Sequence, residues 1–149
     1  MVILERLTVT DSTIYAIGLA KSYASYTLHV TALSADTGEL LTTQHIPSSI
    51  ANGPDDFFTL SSPTSEDPRL VWIEKGVVRS VALTPKLTSK PQSLKGSANT
   101  KILDVGLPEH GMFVVKREDG SASVFKLNKN TFEIIWDFAD SVSFLTVVP

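Results

Sequence analysis

The sequence contains no cysteine, which excludes disulfide staples, thiolate metal sites and thiol nucleophiles. The absence assigns no compartment, because a cytosolic protein needs no cysteine and a secreted one with a sufficient core can also do without. Long apolar runs are missing too. The longest, such as Ile14–Ala20 and Ser143–Val148, are strand-length, far short of the roughly 20 residues that span a bilayer. Met1–Thr10 carries Glu5 and Arg6 inside its apolar stretch and has no small-residue cleavage site, so it does not read as a signal peptide. No Asn-x-Ser/Thr sequon occurs, since Asn52, Asn99, Asn128 and Asn130 all fail at the third position. No stretch concentrates Lys and Arg, and the formal charge of −3 is scattered along the chain. Nothing suggests a phosphate-backbone footprint, and nucleic acid is not an expected partner.

What is present suits a globular chain. The 149 residues, 42% hydrophobic and 19% charged, suffice for one domain with its own core. Apolar residues recur with a period of two nearly everywhere. In Gly120–Asn128, for example, Ala122, Val124 and Lys126 point one way while Ser121, Ser123, Phe125 and Leu127 point the other. No long window shows a helical stripe. Turn signals fall between the runs. Asp119-Gly120 and Lys75-Gly76 each read as a two-residue hairpin, and Ala35-Asp36-Thr37-Gly38 as a longer turn in which Gly38 is free to take positive φ.

The expected strands group in fours. The first group is Val2–Val9, Thr13–Ala20, Tyr26–Ser34 and Glu39–Ile46; the second is Asp56–Ser61, Arg69–Glu74, Val77–Thr84 and a weak Pro91–Leu94. The third is Lys101–Gly106, Met112–Arg117, Ser121–Asn128 and Phe132–Phe138, after which Val142–Val148 would open another. The third strands end at Ser34, Thr84 and Asn128, 50 and 44 residues apart. Four short strands recurring at that period are the pattern of β-propeller blades. The expectation is an all-β segment of about three antiparallel four-stranded blades, at residues 1–50, 51–97 and 98–140, with 141–149 starting the next.

The repeat also has a sequence echo. Ala32-Leu-Ser34-x-x-Thr37-Gly38 parallels Lys126-Leu-Asn128-x-x-Thr131-Phe132-x-x-x-Trp136, and Ala82-Leu83-Thr84 keeps the start of it. This spacing resembles the Ala-x-Asp-x-x-Thr-Gly-x-x-x-Trp motif of quinoprotein-type propellers. The resemblance implies that Trp136 docks one blade on the next and that Gly38 belongs to the turn between the outer two strands. The chain departs from the motif at Thr42, which stands where the first unit should have its Trp, and the second unit has neither Thr-Gly nor Trp.

The runs Asp11–Gly18, Leu28–Leu40, Val71-Trp72, Ser80–Leu83 and Lys126–Ser141 are similar to the lumenal propeller of the subunit 1 family of the endoplasmic reticulum membrane protein complex. That resemblance implies an internal lumenal segment of a longer, membrane-anchored protein. Its complex inserts transmembrane segments, and its propellers serve as a scaffold and docking surface. The expected partners are other subunits or lumenal factors of such a complex and the remaining blades of the same chain. A quinoprotein-like scaffold of another assembly machinery, or a degenerate quinoprotein enzyme, is the alternative.

The residues offer little for catalysis. The acid pairs Asp55-Asp56, Glu66-Asp67 and Glu118-Asp119 sit at turns or strand starts, where acids are solvated, and a glycosidase needs carboxylates facing across a cleft. His29, His45 and His110 share no metal-ligand spacing. No nucleophile elbow, phosphate loop or dinucleotide fingerprint occurs. The reading is therefore of a non-catalytic chain with no cofactor and no metal. Trp136 is expected to dock blades, while Gly38, Gly76 and Gly120 make turns. Most other aromatics should pack between blades, with Tyr15, Tyr23 and Tyr26 as candidates for exposed contacts. Three blades cannot close a ring, so the isolated segment is expected to self-associate.

Overall fold

Alternating residues broken by glycine, proline and asparagine turns build strands and, among the described residues, nothing longer than a turn of helix. The computed structural model describes residues 1–63 and 67–138. The first sheet comprises β1 (Val2–Val9), β2 (Thr13–Ser22), β3 (Ser25–Ser34) and β4 (Leu40–Ile50). The second comprises β5 (Phe57–Leu60), β6 (Arg69–Glu74), β7 (Val77–Ala82) and β8 (Gln92–Ser93), and the third β9 (Thr100–Leu107), β10 (Met112–Arg117), β11 (Ala122–Asn128) and β12 (Thr131–Phe138). Each sheet is an antiparallel meander in which every strand pairs with its sequence neighbours. The only helical elements among the described residues are two 3-10 turns, Pro54–Asp56 and Pro108–His110. The strand expected at Val142–Val148 lies outside the described residues.

Local chemistry accounts for most connections. Lys75 and Gly76 have φ of 51° and 78°, and Glu74 pairs directly with Val77, as a type I′ hairpin requires. The Asp119-Gly120 turn differs from the two-residue hairpin read from sequence. Of the two, only Gly120 takes positive φ, and the last paired residues are Lys116 and Ala122. The Asp119 carboxylate accepts the Ser121 N–H and hydroxyl at 2.8 and 2.6 Å. That local bonding favours a type I turn followed by a left-handed glycine. β4 runs four residues beyond its expected end at Ile46, through Pro47, to Ile50. An edge strand tolerates a proline, and here the Ser48 hydroxyl takes the Leu28 N–H at 2.9 Å.

The three sheets stack face on face. Ile17, Leu28, Val30 and Ile46 of the first sheet pack on Phe57, Leu70 and Trp72 of the second. Residues of opposite parity in the second sheet, Phe58, Val71 and Val78, pack on Phe113, Val115 and Phe125 of the third. With both faces covered, β6 is buried over Leu70-Val71-Trp72-Ile73 without alternation. Phe113 is the centre of the second interface, with ring centroids of Phe58, Phe125 and Phe132 at 5.5, 5.3 and 5.5 Å.

Polar bonds lock the stack at its rims. Arg6 donates to the Phe57 and Pro54 carbonyls at 3.2 and 2.9 Å, its guanidinium lying over the Phe57 ring. Glu74 Oε1 accepts from both Trp72 Nε1 and Ser49 N at 3.1 Å. Between the second and third sheets, Ser61 N donates to Pro108 O at 2.9 Å and Thr100 N to Gly76 O at 2.8 Å.

Candidate interaction surface

The first sheet has one face in the core and one without a described partner. Register places Leu4 opposite Gly18, Leu7 opposite Ala16 and Val9 opposite Ile14, and side chains of paired residues share a face. These are the positions alternate to Ile17 and Val30, so they point away from the second sheet. A bulge between Leu4 and Arg6 keeps Leu4 and Leu7 on the same side although they lie three residues apart. Leu4 and Leu7 are each 59% exposed and Val9 64%, with Leu40 and Leu41 also exposed. A contiguous apolar sheet face of this kind marks an interaction site more often than an ordinary surface.

His29 and His45 pair directly across β3 and β4 on this outer face, with ring centroids 4.7 Å apart. Burial, the charge of His45 and that of the N-terminus, in that order, lower the His29 pKa from its ordinary 6.5. The neutral imidazole is thus preferred in the fold. Its contribution to stability is fully present above pH 6.5 and is lost as pH falls through the lowered value. In an NMR titration the His29 ring should show a midpoint below 6.5 that rises in His45→Asn. A midpoint that His45→Asn leaves unchanged would mean that the pair is not formed in solution. Sequence spacing hid this pair, since only the β3–β4 register joins residues 16 apart.

The remaining candidates are dispersed. Gly38, Gly76 and Gly120 sit in three separate turns with φ of 75°, 78° and 89°. Trp136 lies on β12, opposite Val124, and is 60% exposed. It does not pack between two of the described sheets, and the residues expected to begin a further one, 142–148, lie outside the described residues. Tyr15, expected as an exposed contact, is instead buried in the first interface, because β2 turns its odd-numbered positions toward the second sheet. Tyr26 packs partly against the same core, and Tyr23 is fully exposed.

No protein-family model matches this chain, and no curated protein matches it. The surface therefore has to be read from its own chemistry. Among the described residues, no group of three or more His, Cys, Asp or Glu side chains is placed to hold a metal, and no helix is long and apolar enough to cross a membrane. The acids instead do structural work. Asp56, read from sequence as solvated, is buried and accepts the Asn52 N–H at 3.1 Å. Asp119 is held below the ordinary carboxylate range by the Ser121 hydroxyl and N–H.

Proposed function

We propose that this chain is a non-catalytic scaffold and protein-interaction segment, about three blades of a quinoprotein-like β-propeller that is completed by neighbouring blades. The observation that carries the reading is the outer face of the first sheet. Its Leu4, Leu7 and Val9 present an apolar surface opposite a face already buried in the core. Three consecutive meanders, each packed on the next, support the propeller reading, because blades succeed one another in this way. The non-catalytic reading draws on the acids Asp56 and Asp119, whose carboxylates are engaged in loop and turn bonds. The lumenal side of the endoplasmic reticulum, in a complex that inserts membrane proteins, is the setting that the sequence resemblance supports. Its expected partners are other subunits or lumenal factors of that complex.

The isolated chain should self-associate through the uncovered face. Sedimentation over a concentration series should give masses rising above the 16.2 kDa of one chain. Leu4→Lys with Leu7→Lys should return the monomer, since burying a charged face against a second copy is costly. A strict monomer at every concentration would sink the open-propeller reading. Protease protection in intact microsomes tests the compartment: digestion of the tagged parent's segment without detergent would overturn the lumenal setting.

A further inference from the structure

The gap between the second and third sheets holds a cavity of about 180 Å³, away from the outer face described above. Arg69, Ser80, Lys95, Asn130, Phe125 and Phe132 are among the residues that line it. Strand register explains the convergence. Ser80 pairs with Val71, and Val71 faces the third sheet, so Ser80 and Arg69, two residues from Val71 on β6, point into the same gap.

Two donors in this gap have no partner among the described residues. Ser80 is only 2% exposed, and its hydroxyl is buried without a hydrogen bond. Arg69 Nη2 donates to the Asn130 carbonyl at 3.0 Å, but its Nε–H is buried and unpaired. Buried donors left unsatisfied are costly. The charge balance points the same way, since among the described residues the lining includes Arg69 and Lys95 and no Asp or Glu. Burial pushes the Arg69 pKa below its ordinary value, and the charge of Asp67 offsets only part of that. Water would satisfy the two donors, but it would bring no counter-charge to the guanidinium.

We propose that this inter-sheet cavity is a binding site for a small oxyanion, of the carboxylate or phosphate class, which accepts hydrogen bonds from Arg69 Nε–H and the Ser80 hydroxyl. An ionised acceptor suits both donors, because charge-assisted bonds are the strong ones and a guanidinium is built for planar oxyanions. Phe125 and Phe132 form an apolar wall on one side of the site, and the lower local dielectric there strengthens such bonds. The site stands apart from the scaffold reading and holds whether or not the outer face binds a partner.

The test titrates sodium acetate and, separately, sodium phosphate into the isotope-labelled chain, with sodium chloride holding ionic strength constant. The Arg69 Nε–H resonance should shift saturably with at least one of the two ions, and the ion that does so assigns the class. Ser80→Ala should keep the fold, removing a buried unsatisfied hydroxyl, while weakening binding by about threefold to tenfold. Absence of a saturable shift up to about 100 mM of either ion, the range of very weak sites, would overturn the proposal. So would a shift that Ser80→Ala leaves unchanged, since the ion would then be bound elsewhere.

Discussion

Trp72→Ala should destabilise the chain by about 3–5 kcal/mol, the range for truncating a large buried aromatic. Trp72 is fully buried between the first and second sheets, where it packs with Phe57 and Leu70 of its own sheet against the first. Its loss leaves a cavity in the middle of a stack that cannot close up without moving a whole sheet. The indole also anchors Glu74, donating to the same carboxylate oxygen that accepts Ser49 N. Truncation thus loosens a bond across the interface as well as the packing. For a chain of this length the melting temperature should fall by about 10 °C or more. Trp136→Ala is the internal comparison. With its indole 60% exposed, that truncation should cost less than about 1 kcal/mol. Urea unfolding of both variants measures the contrast through the midpoint and slope. Equal effects would contradict the packing described here, and a large cost for Trp136 alone would restore the docking role implied by the resemblance.

Gly111→Ala should cost about 2–5 kcal/mol, from two sources that a second variant separates. Gly111 ends the Pro108–His110 turn with φ of 69°, a conformation in which a side chain is strained by about 1–2 kcal/mol. A Cβ there would also stand 2.9 Å from Leu127 Cβ and 3.3 Å from the Ser61 carbonyl oxygen. Neither neighbour can swing away, because one is the root of a side chain and the other is backbone. Leu127 N is moreover bonded to the Gly111 carbonyl at 2.9 Å, and Ser61 N to that of Pro108. The added methyl therefore pushes on the junction between the second and third sheets, adding roughly 1–3 kcal/mol of overpacking. Gly38→Ala shares the conformational strain, with φ of 75°, but its Cβ would meet nothing within 4 Å. It should cost only about 1–2 kcal/mol, the left-handed penalty alone. Calorimetric or denaturant unfolding that finds the two substitutions equal would show that the Gly111 contact is not as close as described.

Local rules made much of this architecture legible. β1, β6 and β10 have the bounds that alternation and turn residues suggest, because a two-residue period and a Lys-Gly or Asp-Gly break are properties of neighbouring residues. The grouping of strands in fours was legible for the same reason, since sequential antiparallel strands need only short connections. The Asp119 turn shows where local reading stops. One carboxylate bonding forward to Ser121 selects a different turn from the same Asp-Gly pair.

By itself, then, the sequence determined an all-β chain of three four-strand units, with glycines at the turns and no thiol chemistry. The tertiary structure alone decided which face of each strand meets another sheet. Tyr15 and Trp136 illustrate this, since both are strand aromatics with the same local signal. Tyr15 faces the second sheet and is buried, whereas Trp136 lies on a face that no other described sheet covers. His29 and His45 meet only through the β3–β4 register, and Arg69 and Ser80 share a cavity only because the third sheet stacks on the second. Alternation records that a strand has two faces, but covering a face depends on residues distant in sequence, and no local pattern carries that information.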